Sequence, residues 1–225
     1  LQLVHEMADS RVERDTITYN AALSACDAGG NWRQALHVFD EMLQCSVERD
    51  TISYSAAVSA CEKGGEWRQA LQLLFEMADD RVERSTITYS AAISACEKGS
   101  QLLQALQLLD EMADSQVKRD TITYNAAVCA CEKDKNWRMA LQVLSGMTDS
   151  FVELDTVTYN AAVRSCEACG EWSQALHLFD EMVQCSVERD TIGYSTAVRA
   201  CEKGGEWRQA LQLLFEMADD RVERS

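Results

Sequence analysis

Residues 51–85 read TISYSAAVSACEKGGEWRQALQLLFEMADDRVERS, and the rest of the chain is made of variants of this stretch. Tyr19, Tyr54, Tyr89, Tyr124, Tyr159 and Tyr194 stand 35 residues apart without an insertion or deletion, and so do Cys26, Cys61, Cys96, Cys131, Cys166 and Cys201. Self-similarity at such a period marks an array in which each unit buries its apolar face only against its neighbours. The units run 16–50, 51–85, 86–120, 121–155, 156–190 and 191–225, and residues 1–15 reproduce the end of an earlier one, so a single array over 1–225 is expected, with a partial repeat at 1–15. Ser186 to Ser225 repeats Ser46 to Ser85 with three changes, Ser53 to Gly193, Ala56 to Thr196 and Ser59 to Arg199, as if four units had been copied as a block. The start inside a unit and the end flush with one lead us to expect a slice of a longer protein.

Each unit divides into two apolar patterns. In the first unit Asp15 and Thr16 can cap free backbone amides ahead of ITYNAALSACDA, and Gly29-Gly30 suits the left-handed end of a helix. The β-branched start would also suit a strand, but Ile17, Tyr19, Ala22, Leu23 and Cys26 do not alternate, and the period has room for two helices and two turns. The second helix begins near Trp32 and sets Ala35, Leu36, Phe39 and Met42 on one stripe. Val47 and its equivalents Val12, Val82, Val117, Val152, Val187 and Val222 are expected to pin the return link to the core. Small residues at Ala21, Ala22, Ser24 and Ala25 let neighbouring helices approach to roughly 8–10 Å. The expected fold is all-α, a right-handed superhelical α-solenoid of helix-turn-helix repeats. Leu102 in place of Trp, and Asp134-Lys135 in place of Gly-Gly, predict less regular third and fourth units.

The formal charge of −16 argues against indiscriminate binding to phosphate backbones. It is unevenly spread: Glu76, Asp79, Asp80 and Glu83 fall in the second half of their unit, and residues 51–61 carry no charge, so one surface can be acidic while another is neutral. Six of the ten cysteines share one position in successive units, which suits small buried thiols in a reducing compartment. Cys45 and Cys185 are equivalent to each other, Cys129 stands alone, and Cys166 and Cys169 have CxxC spacing with no second pair, which leaves a metal or redox site without its other half. His5, His37 and His177 have no nucleophile or paired carboxylates beside them, so no enzyme, cofactor or small-molecule substrate is expected. No apolar run approaches the roughly 20 residues of a membrane helix, which rules out a helical membrane span.

TYN or TYS near the start, ACEKGG at the first turn and QAL..L..M in the second helix closely resemble the pentatricopeptide repeat family along the whole chain, in a 35-residue variant without proline. The resemblance implies an organellar location, in chloroplast or mitochondrion, and single-stranded RNA as the partner, bound one base per repeat. It further implies that the residue after Tyr and the last residue of the unit select the base: Asn20 with Asp50, Ser55 with Ser85, Ser90 with Asp120, Asn125 with Asp155, Asn160 with Asp190, and Ser195 with Ser225. By the same resemblance Asn with Asp prefers uracil and Ser with Asp guanine, which gives the register 5′-U-N-G-U-U-N-3′. Ile17, Ile52, Ile87, Ile122, Val157 and Ile192 would clamp the bases.

Each implied role has a structural counterpart. Asp at a unit end is also a helix cap, the Ile/Val row also suits a core, and Lys63, Lys98, Lys133 and Lys203 either favour a helix C-terminus or contact phosphate. Where the family carries Pro before the last residue this chain has Arg49, Arg84, Arg119, Arg189 or Arg224, and Leu154 once, which predicts looser links. With the acidic charge, this keeps a second function open: a scaffold docking onto protein subunits of a larger organellar assembly such as a ribosome or photosynthetic complex.

Overall fold

The computed structural model describes residues 15–219. The partial repeat before Asp15, His5, Val12, Val222, Arg224 and the proposed base reader Ser225 lie outside the described residues. Within them are twelve helices and no strand: α1 (Thr16–Ala28), α2 (Trp32–Gln44), α3 (Thr51–Gly64), α4 (Trp67–Asp79), α5 (Thr86–Lys98), α6 (Leu102–Asp114), α7 (Thr121–Lys133), α8 (Trp137–Asp149), α9 (Thr156–Cys169), α10 (Trp172–Gln184), α11 (Thr191–Gly204) and α12 (Trp207–Asp219). They belong to two compact units, Leu1–Lys118 and Arg119–Ser225. In the first unit α1, α3 and α5 pack side by side, and α2 and α4 each rest on their own first helix and on the next one. In the second unit α7, α9 and α11 form the same layer, backed by α8 and α10 in the same way. Each unit is thus a stack of helical hairpins, the solenoid expected from the period.

The boundaries follow from local chemistry. Every first helix is preceded by an extended residue whose side chain accepts a bond from a first-turn amide: Asp15, Asp50, Ser85, Asp120, Asp155 and Asp190. The helix ends also share one geometry. After α1, Gly30 N donates to Asp27 O (3.0 Å) and Asn31 N to Cys26 O (3.0 Å), the paired bonds of a Schellman end with Gly30 left-handed at φ 64°. After α2, Ser46 N donates to Leu43 O and Val47 N to Met42 O, with Ser46 left-handed. The third and fourth units are not less regular than the others: Ser100 and Lys135 adopt the same left-handed turn (both φ 54°), and Asn136 N still donates to Cys131 O at 2.9 Å. The backbone bonds fix the turn, and the residue there bears the strain.

Within each compact unit the core is a column of repeated positions. The six tyrosines are buried, as are Cys61, Cys96, Cys131, Cys166 and Cys201, while Cys26 is partly exposed. Tyr54 and Tyr194 meet Phe39 and Phe179 of the preceding hairpins edge to face, at 4.8 and 4.9 Å between ring centroids. Trp32, Trp67 and Trp172 lie against Gly64, Gly99 and Gly204 of the next unit so closely that any Cβ there would strike the indole.

The arginines that stand in place of Pro tie the links down, contrary to the expectation of looser ones. Arg84 donates through Nε to Leu74 O (2.9 Å) in its own second helix, and through Nη1 to Tyr89 OH (3.2 Å) and to Glu111 of the next unit. Arg189 repeats this with Phe179 O at 3.0 Å and Glu216 at 3.4 Å, and Arg49 stacks over Phe39 at 4.2 Å. A buried guanidinium has donors enough to join three elements, which a Pro lacks.

Candidate functional site

The residues named by the resemblance share the N-terminal ends of the first helices. Asn20 Nδ2 donates to both carboxylate oxygens of Asp50 at 3.1 Å, Asn125 Nδ2 to those of Asp155 at 3.3 and 3.2 Å, and Asn160 Nδ2 to Asp190 Oδ1 at 2.9 Å. The same carboxylates cap the next helix: Asp50 Oδ1 accepts from Ser53 N (2.8 Å), Asp155 Oδ1 from Thr158 N (2.8 Å) and Asp190 Oδ1 from Gly193 N (2.8 Å). Capping and pairing are therefore not alternatives, because one carboxylate has lone pairs for both. Burial pushes the Asp50 carboxyl up, but the Ser53 amide, the Asn20 amide and the Ser53 hydroxyl outweigh it and hold the group below its ordinary value.

Ser55 and Ser85 are joined differently. Thr88 Oγ1 lies 2.8 Å from Ser55 Oγ and 2.9 Å from Ser85 Oγ, so a threonine hydroxyl bridges the two. Ser90 is buried, Asp120 caps α7, and Ser195 is exposed with its hydroxyl on Ile192 O.

The expected clamp residues are not core. Ile17, Ile52, Ile87, Ile122, Val157 and Ile192 are 50–77% exposed, one in every unit at the second residue of the first helix. In each compact unit three β-branched aliphatic side chains face water at one repeated place, an apolar row beside the polar pairs. An isolated exposed Ile needs no explanation; a row repeated at each unit does.

The lysines are engaged. Lys63 Nζ meets Asp27 Oδ1 (2.9 Å) and Asp27 O (3.1 Å), Lys98 Nζ meets Glu62 (2.5 Å), and Lys203 Nζ meets Glu167 Oε1 (3.0 Å) and Glu167 O (3.1 Å). Each joins the end of one first helix to the end of the preceding one; Lys133 ends α7 at the equivalent place. Arg164 and Glu132, 3.0 Å apart, add a further tie. Acid and base are thus matched on the first helices, and most of the excess carboxylates, such as Asp40, Glu41, Asp79, Asp80, Asp110 and Asp114, belong to the second helices and links.

No group of three or more His, Cys, Asp or Glu gathers as a metal site among the described residues. Cys166 is buried, while Cys169 is exposed and donates its thiol to Lys135 O at 2.9 Å. His37 and His177 are exposed on second helices. No helix among the described residues is long and apolar enough to cross a membrane.

Three family profiles match the sequence: the PPR repeat family over residues 14–63 and 154–203, the pentatricopeptide repeat domain over 107–171, and the PPR repeat over 52–82, 87–117 and 192–222. No curated protein matches it. Among solved structures, the pentatricopeptide repeat protein PPR10 in complex with an 18-nt psaJ RNA element aligns over 100% of this chain and 38% of its own, at 18% identity and TM-score 0.61. The PPR domain of Arabidopsis thaliana protein-only RNase P 1 in complex with tRNA aligns over 75% of this chain and 89% of its own, at 16% identity and TM-score 0.67. Arabidopsis thaliana nuclear protein-only RNase P 2 aligns over 83% of this chain and 42% of its own, at 14% identity and TM-score 0.72. At these identities the likeness is one of fold, and the chain spans less than half the length of two of the three.

Proposed function

The chain belongs to the pentatricopeptide repeat family, and from that premise we propose that it binds single-stranded RNA along its first helices, one base to a repeat, and acts in an organelle on the processing, stability or translation of a transcript. The observation that carries the reading is the exposed Ile or Val at the second residue of every first helix, from Ile17 to Ile192, beside the Asn–Asp pairs. Apolar side chains at each repeat can sandwich bases, whose faces are alike, while the amides and carboxylates meet base edges, which differ. The PPR10 and RNase P 1 structures contain RNA, which supports the partner. The test is binding to a short labelled RNA carrying 5′-U-N-G-U-U-N-3′ and to a scrambled RNA. Preference for the first, lost on N125A or D155A, is the expected result; equal or no binding of both overturns it.

A protein scaffold is the second reading, favoured by a groove of ≈ 500 Å³ along α4 lined by Trp67, Leu71 and Phe75, with Phe75 56% exposed. F75D would abolish capture of a protein partner under this reading and leave RNA binding intact.

A further inference from the structure

Three units pair Asn with Asp, and the structure does not treat them alike. Asn125 is partly exposed, whereas Asn20 is 9% and Asn160 4% exposed. The difference follows the residue three places into the next unit. Thr158 Oγ1 bonds Asn125 Oδ1 and also lies 2.7 Å from Asp155 Oδ1, so it props the amide oxygen while Asp155 holds the nitrogen. Ser53 and Thr158 both accept from the amide of the Asp that caps their helix, at 2.7 and 3.4 Å, but the Ser53 hydroxyl donates back to Asp50 O (2.8 Å) and makes no bond to Asn20. Gly193 has no side chain, and Asn160 Oδ1 sits 2.8 Å from where its Cβ would be. At both of these places the amide oxygen is buried with no hydrogen-bond partner, an unfavourable state. Among the serine units the relation does not carry over: Ser55, 2.8 Å from Thr88 Oγ1, is partly exposed, whereas Ser90, also followed by a unit with Thr at its third place, is buried, so the relation is one of the Asn units.

The geometry points to the third residue of the following unit as a positioning residue for base reading: Thr158 presents Asn125 with both ends of its amide fixed, while Ser53 and Gly193 let Asn20 and Asn160 withdraw. The inference rests on the RNA-binding reading and deepens it. From the pairs alone, the units 16–50, 121–155 and 156–190 select uracil equally. With the third residue included, discrimination concentrates on the unit 121–155. Thr158 and Asp155 fix the plane of the presented amide, whose N–H donors favour a base carbonyl over a base amino group, uracil over cytosine.

The test uses the full chain and the hexamer 5′-U-N-G-U-U-N-3′ with one uracil at a time replaced by cytosine. Replacing the fourth base is expected to weaken binding about tenfold, the scale of one well-placed base-edge contact, and replacing the first or fifth by less than about threefold. T158G, with Gly193 as native precedent, is expected to remove the preference at the fourth base, and S53T, with Thr at positions 18, 88, 123 and 158, to create one at the first. Equal losses at the three uracils, or a fourth-base preference that survives T158G in a folded variant, overturn the inference and leave RNA binding standing. Failure to bind any hexamer overturns the RNA reading instead. A readout without RNA then decides the geometry: a soluble paramagnetic chelate is expected to broaden the side-chain amide signal of Asn125 more than those of Asn20 and Asn160, and equal broadening overturns it.

Discussion

Asp50 works for two neighbours at once, since its carboxylate caps α3 and receives the Asn20 amide of the preceding helix. Its folded pKa lies below the ordinary 3.8, so it contributes stability that is present above 3.8 and lost as pH falls through the lower folded value. D50N retains a capping oxygen but no titration, so the wild-type chain should lose more stability than the variant between roughly pH 5 and pH 3, read by chemical denaturation at each pH. The cysteines divide by the same kind of local argument. Burial pushes the Cys61, Cys131 and Cys166 thiols up to about 12 and Cys96 to about 11, which leaves almost no thiolate to react. Cys45, Cys169 and Cys185 are exposed, and mass spectrometry after brief alkylation at neutral pH should find the label on these three and not on the buried column until the chain is unfolded.

At the scale of the helix and its ends, the left-handed residue carries the strain of each turn. Lys135 stands at φ 54° where Gly30, Gly65, Gly170 and Gly205 occupy the equivalent place. A Cβ in that conformation costs roughly 1 kcal/mol, so K135G should raise the unfolding free energy by about that much, measured by urea titration. Lys135 also shows what could be read from the sequence. Gly-Gly and the Asp or Ser caps are local signals, and they located the helices to within a residue or two. A turn held by backbone bonds from Lys135 and Asn136 leaves no such signal, because the bonds do not depend on side chains. The arginines were illegible for another reason: the partners of Arg84 lie 10 residues back, at Leu74, and 27 residues ahead, at Glu111. The depth of Asn20 against Asn125 is likewise set 33 residues away, by Ser53 and Thr158, so the Asn–Asp letters could be read from one unit and their presentation could not.

For the chain as a whole, the net charge of −16 describes no single surface. The first helices balance their charges through pairs such as Lys63 with Asp27 and Lys203 with Glu167, and the acids accumulate on the other layer. Under the proposed function, RNA phosphates must compete with carboxylates for these lysines, and at most four lysines take part. The plot of log K against log salt should therefore be no steeper than about −3, at roughly 0.7 per phosphate for a single strand. A steeper slope, measured by fluorescence anisotropy, would move the binding surface away from the first helices.

The regular caps bear on inheritance as well as on stability. Asp50 precedes Thr51 just as Asp190 precedes Thr191, and each pair begins a first helix in the same way. A recombination event that deleted residues 51–190 would join Asp50 to Thr191 and recreate an intact boundary, with Gly193 in the place of Ser53. Mispairing between near-identical gene segments, ordinarily a source of broken proteins, would here lengthen or shorten the array by whole units, and under the proposed function the length of RNA covered would change with it in a single generation.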